Sequence, residues 1–247
     1  MSFFITGTGW VTAGGEGRGR KADPFGYSEG PLPGLTGKTP FANQNFRRFG
    51  RLDRFSRLGL MAVAYALQDA GLDVWKGKRD IGVIVSTVLG CLATDLDYYN
   101  TVMTKNGVLA DPNLFTYTLP NSFLGHASII FGLTGTNFVI NEKTESGICA
   151  LSSAMDCISL GECDTMLAGV CDVEPPPDFP VSRKPAPGAI FIVIEKTIER
   201  QIQPYGNLSM GSSGTLFFNG SEINDISTCV KNCLGTGKRI ITLDSKP

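Results

Sequence analysis

Read for the spacing of its apolar residues, the chain alternates between helix-like and strand-like segments. From Ser56 to Ala70 the stretch SRLGLMAVAYALQDA places Leu60, Met61, Ala64 and Leu67 on one helical stripe, and Gly71 supplies a C-terminal stop. Arg79 to Thr87, RDIGVIVST, is a continuous apolar run of the kind that forms a strand covered on both faces. A helix is expected through LDYYNTVM, a turn-rich stretch through KNGVLADPN, and a second helix from Pro120 to near Gly132. After Gly135 the order is strand, turn, a helix from about Gly147 to Leu160, and a strand from Thr165 to Val170. The proline-rich DVEPPPDFPVSRKPAPG must be a loop, and GAIFIVIEKT reads as a β-branched strand. NLSMGSSGTLFF reads as a strand or hairpin, SEINDISTCVKNCLG as a helix capped by Ser221, and KRIITLDS as a last strand. At the N-terminus, Phe3 to Ile5 forms a short strand and Gly7 to Gly15 a glycine-rich turn. Repeated alternation of this kind predicts an α/β fold with three layers around a mostly parallel sheet.

Composition narrows the function without choosing one. The 247 residues are 42% apolar and 18% charged with a net charge of −1, the profile of a globular protein with no reason to bind nucleic acid. No apolar run approaches the roughly 18 residues of a membrane span, and MSFFITGTGWV lacks the flanks of a signal peptide, so a cytoplasmic location without membrane insertion is expected. The seven cysteines have no CxxC spacing and are expected to be mostly small buried hydrophobes, not a disulfide framework. Cys229 and Cys233 are four apart but lack further ligands nearby, so no metal and no cofactor are expected. The glycines from Gly7 to Gly15 follow GxGxxxxG, not GxGxxG, and no helix pattern follows them.

Candidate chemistry concentrates between Asn137 and Gly169. A buried strand, a sharp turn and a long helix commonly present a nucleophile, yet this turn offers only Thr144, Glu145 and Ser146. A Cys there would gain thiolate character from the helix N-terminus, whereas a Thr hydroxyl needs a neighbouring base. The bland alternative is that these small oxygens cap the helix. His126 is the single histidine of the chain and is read as a packed or capping residue.

Several phrases, in order, resemble the β-ketoacyl synthase family, whose members share the thiolase-like fold. ITGTGWVTAGG is similar to the family's opening strand and turn, RLDRFSRLGLMAVAYALQDAGLD to its first long helix, and IGVIVSTVLG to the next strand. LFTYTLPNSFLGHASIIFGLTGTN resembles the segment before the active-site strand, and DTMLAGVCDV and GAIFIVIEKT resemble two core strands. The resemblance implies a three-layer thiolase-like domain over residues 1–200, with 201–247 a short extension packed on it as a remnant of a second half. Aligned on Gly135, Asn137, Gly161, Asp164 and Leu167, the family's nucleophilic Cys falls on Thr144, and the family's two catalytic histidines have no source after His126. Cys149 and Cys171 are poorly placed as replacements.

The resemblance further implies dimerisation through the strand before the nucleophile, here Phe138, Val139 and Ile140. It implies carrier-protein docking on basic residues, for which Arg47, Arg48, Arg51, Arg54 and Arg57 are available, although a solvated face also explains such a run. The leading expectation is a non-condensing, chain-length-factor-like partner or scaffold in fatty-acid or polyketide assembly. It would pair with itself or with a full ketosynthase and contact acyl carrier protein. The alternatives are a thioester decarboxylase or hydrolase, with backbone N–H groups at the turn polarising the carbonyl, and a passive acyl or carrier-protein binding module.

Overall fold

The computed structural model describes residues 2–42, 46, 48–73, 77–176, 180 and 184–244. The chain opens with strands β1 (Ser2–Thr12) and β2 (Gly15–Arg18), followed by helix α1 (Arg54–Asp69) and strand β3 (Ile81–Thr87). Helices α2 (Leu92–Met103), α3 (Pro112–Phe115) and α4 (Ser122–Phe131) lead to strand β4 (Asn137–Asn141) and helix α5 (Ile148–Leu160). Strands β5 (Thr165–Asp172), β6 (Gly188–Glu195), β7 (Gly206–Met210), β8 (Leu216–Phe218) and β9 (Ser221–Ile223) precede the last helix, α6 (Ile226–Asp244).

All the strands join one sheet in the order β4-β3-β5-β6-β1-β7-β8-β9, with β2 on β1. β3 pairs in parallel with β4 and β5, whereas β6 runs antiparallel to both β5 and β1. Four strands of the five-strand stretch from β4 to β1 therefore share one direction, and β6 alone opposes them. Beyond β1 the direction alternates through β7, β8 and β9, which residues 206–223 add as an antiparallel edge.

Period-2 alternation sends each core strand's side chains to both faces. On β6, Ala189, Phe191 and Val193 join one buried cluster with α1 and α4, while Ile190, Ile192 and Ile194 join another with α5 and α6. The sheet is thus sandwiched between helices, the expected three-layer α/β/α arrangement, and its strands are apolar on both sides for that reason.

Three expectations at the ends of the chain are corrected. Gly7 and Gly9 belong to a continuous β1, not to a turn. Their role is close approach: a Cβ on Gly9 would fall 2.2 Å from the Ala66 nitrogen, and one on Gly7 2.5 Å from the Ala66 oxygen. α1 can lie this near the strand only because both positions lack a side chain. At the other end, Ser221 starts β9 instead of capping a helix, and the cap is Asp225, whose carboxylate accepts from the Thr228 N–H at 2.7 Å. KRIITLDS is not a strand, since α6 continues to Asp244. Ile226, Cys229, Val230 and Cys233 are buried at helical spacing on the sheet. Extending a helix already anchored this way costs less than nucleating a new element.

α1 is positioned at its end by Asp69, which is 1% exposed. Its carboxylate accepts from the Thr8 N–H at 2.8 Å, the Arg20 N–H at 2.7 Å and the Tyr205 O–H at 2.7 Å. One side chain thereby ties α1, β1, the segment after β2 and the approach to β7 together. Burial pushes its acidity towards the neutral form, and these donors oppose that shift.

Candidate active site at the β4–α5 turn

β4 lies at the sheet edge, so the chain leaving it emerges at the rim of the molecule. The Glu142 N–H still donates to the Thr87 oxygen at 2.9 Å, which carries the strand path one residue further. Gly147, at φ +70, then turns the chain into α5, where a Cβ would meet Val170 Cγ1 at 2.7 Å. Only glycine satisfies both the left-handed backbone and that contact. The turn is braced from α6 as well, because the Ile226 N–H donates to the Ser146 oxygen at 2.8 Å.

The start of α5 is capped mainly by Glu142, a residue that sequence reasoning passed over. Glu142 Oε1 accepts from Ser86 Oγ at 2.5 Å and from the Cys149 N–H at 3.1 Å, and Oε2 accepts from Ser146 Oγ at 2.9 Å. Ser146 Oγ in turn accepts a long bond from the Ile148 N–H at 3.4 Å. Of the three expected turn residues, Ser146 takes part in capping, whereas Thr144 is exposed and makes no hydrogen bond among the described residues. An acid ending a strand directly before a helix N-terminus was the available signal.

The turn faces a cavity of about 380 Å³ lined by Tyr27, Thr144, Glu145, Ser146, Ala186, Asp225 and Ser227. The three turn residues therefore do share one cavity. Asp172, at the end of β5, accepts from Thr87 Oγ1 at 2.8 Å, the Val88 N–H at 3.0 Å and the Leu89 N–H at 2.8 Å. Burial pushes its pKa up to about 6 against these donors, with Glu145 adding repulsion. Tyr27 donates to the Ala186 oxygen at 3.1 Å, and burial followed by the Asp172 and Glu145 charges holds its hydroxyl firmly protonated. The surroundings are thus hydroxyl-rich and acidic.

Other expected residues lie elsewhere. Cys149 is exposed in the first turn of α5, where the helix end alone would favour a thiolate. Burial and the adjacent Glu142 carboxylate push its thiol up instead. Cys171 lies within β5, not after it, fully buried, with its thiol raised well above the ordinary range. Of the seven cysteines, all but Cys149 are buried. His126, on α4, stacks on Tyr117 with ring centres 5.9 Å apart, and burial lowers its pKa. It lines a separate cavity of about 820 Å³ with Arg48, Arg51 and Ile129. Arg54 instead pairs with Glu174 at 2.8 Å, Arg57 reaches the Leu35 oxygen at 3.5 Å, and Arg47 lies outside the described residues. On β4, Phe138 is 37% exposed and Val139 and Ile140 are half-buried, with β3 the strand's one partner among the described residues. Among those residues no group of three or more His, Cys, Asp or Glu side chains could hold a metal ion, and no helix is long and apolar enough to cross a membrane.

The sequence profile of the β-ketoacyl synthase N-terminal domain matches residues 37–181, more than half of the 247 residues. The chain belongs to the β-ketoacyl synthase family. It is 29% identical over 120 residues to 3-oxoacyl-[acyl-carrier-protein] synthase 2 of Vibrio cholerae serotype O1, covering 48% of this chain and 29% of that protein. It is 32% identical over 124 residues to nodulation protein E of Rhizobium leguminosarum bv. trifolii, covering 49% of this chain and 30% of that protein. The chain thus spans under a third of these curated relatives. Among solved structures, a type II polyketide acyl-carrier protein in complex with its ketosynthase superposes with a TM-score of 0.65 at 20% identity, covering 84% of this chain and 67% of that one. The ishigamide ketosynthase/chain length factor gives 0.63 at 20% identity over 84% of this chain and 66% of that one. These two likenesses show the ketosynthase, thiolase-like fold.

Proposed function

We propose that this ketosynthase-fold chain does not condense acyl groups, and that it serves as a chain-length-factor-like partner subunit in fatty-acid or polyketide assembly. The observation that carries this reading is the make-up of the turn cavity: among the described residues, Thr144, Glu145 and Ser146 stand there with Asp225 and Tyr27, without a thiol or an imidazole. In this reading Thr144 takes the place of the family's nucleophile, while burial and then the Glu142 carboxylate push the thiol of Cys149, the exposed cysteine, up. Carboxylates at Glu145 and Asp225 on the cavity wall also make the surroundings repulsive to a malonyl carboxylate.

Pairing is supported by β4, a sheet edge with Phe138 exposed, because an uncovered edge is a ready template for another chain. The partner is a second copy or a full ketosynthase, and acyl carrier protein is the substrate-bearing contact. Both follow the composition of the structurally similar assemblies, some of which contain a chain length factor or a carrier protein. Sedimentation of the purified chain, alone and mixed with an intact ketosynthase, tests pairing. A dimeric species that Phe138→Lys abolishes supports it, and a strict monomer in both samples contradicts it.

A further inference from the structure

We propose that Ser146 and Glu142 form a nucleophile–base pair that hydrolyses small uncharged acyl thioesters and esters in the turn cavity. This activity goes beyond the partner role and does not depend on it. Ser146 Oγ donates to Glu142 Oε2 at 2.9 Å, within the reach a general base needs. The other carboxylate oxygen is fixed by Ser86 Oγ at 2.5 Å and the Cys149 N–H at 3.1 Å. A nucleophile, a base and groups that orient the base are therefore joined by hydrogen bonds, the arrangement by which a serine hydroxyl becomes reactive.

Geometry also gives the substrate an approach. Ser146 lines the cavity of about 380 Å³, room for a short acyl group beside its leaving group. Thr144, on the same cavity and without a hydrogen bond among the described residues, can donate its hydroxyl to the oxyanion. In the first step the Ser146 Oγ proton passes to Glu142 as Oγ bonds the acyl carbon, the C–S bond breaks, and the thiolate takes the proton back from Glu142. Water then gives a proton to Glu142 and attacks the seryl ester, and Ser146 leaves with that proton. The net change is thioester and water to carboxylic acid and thiol. Glu145 and Asp225 on the cavity wall select against acyl groups that carry a carboxylate.

The test uses the whole purified chain with S-butyryl-N-acetylcysteamine as substrate and a fluorophosphonate as active-site label. Wild type is expected to hydrolyse the thioester and to label on the peptide carrying Ser146. Ser146→Ala should lose both, and Glu142→Gln, which keeps an acceptor for the Cys149 N–H, should slow hydrolysis roughly 100-fold. Ser146→Cys should retain turnover, which separates loss of a nucleophile from loss of folding. The malonyl analogue should react roughly tenfold more slowly than the butyryl one. Labelling or hydrolysis that survives in Ser146→Ala would overturn the assignment, as would a wild type that neither labels nor exceeds the buffer rate. None of these outcomes depends on whether the chain pairs through β4.

Discussion

Asp69 and Glu142 are two carboxylates that each gather both backbone N–H and hydroxyl donors, yet they sit in opposite kinds of place. Asp69 is sealed at the end of α1, with the Thr8 and Arg20 N–H groups and the Tyr205 hydroxyl around it. Glu142 is half-buried at the sheet rim, and one of its hydroxyl partners, Ser146, opens onto a cavity. A sealed carboxylate with fixed donors fastens elements together, since removing it would strand every donor in a dry interior. One that shares its partner with a cavity retains a proton acceptor that a ligand can reach. The same functional group thus reads as scaffold in one region and as chemistry in the other, and burial makes the difference.

The contrast is broken most forcefully at the sealed end. Asp69→Ala leaves the Thr8 and Arg20 N–H groups and the Tyr205 hydroxyl without their acceptor, and is expected to cost about 3 kcal/mol in urea unfolding. Glu142→Ala removes the α5 cap and strands the buried Ser86 hydroxyl, with an expected cost of about 2 kcal/mol by the same measurement. If the two losses came out in reverse order, the division into scaffold and site would fail.

Asp172 sharpens the comparison because it is sealed yet titrates near neutrality, at about 6. Its folded pKa lies above the ordinary carboxylate range, so the folded state holds the proton more tightly than the unfolded chain does. The stability this contributes is full below that ordinary range and is lost as pH rises through about 6. Moving from about pH 7.5 to about pH 5 should raise the unfolding free energy of the wild type relative to Asp172→Asn by about 1 kcal/mol. A flat difference between the two proteins would show that the three donors on Asp172 outweigh its burial. At the surface end, Arg54→Ala breaks the pair with Glu174, whose side chains are 45% and 34% exposed, and should cost no more than about 0.5 kcal/mol.

The architecture was legible wherever hydrophobic period and secondary structure agreed. α1, β3, α5, β5 and β6 fall close to their expected bounds, because strands apolar on both faces and helices with one apolar stripe leave few alternatives. Gly7 and Gly9 misled because their glycines serve helix contact, a tertiary demand that looks locally like a turn. KRIITLDS misled because local β-branching was overridden by a helix anchored further upstream. At the site, the sequence singled out Thr144, Glu145 and Ser146, which line one cavity, but not Glu142, Ser86, Asp172, Tyr27 or Asp225. Tyr27 comes from the segment after β2, Ser86 from β3, Asp172 from β5 and Asp225 from the residue before α6, and only folding brings such distant positions near the turn that carries Glu142.

The central claim, that this ketosynthase-fold chain forms no carbon–carbon bond, is tested most directly by offering it butyryl and malonyl carrier-protein thioesters together and weighing the carrier-bound products by mass spectrometry. The account predicts no β-ketoacyl product and no acyl adduct on Thr144. A β-ketoacyl product that disappears in Thr144→Ala would contradict it.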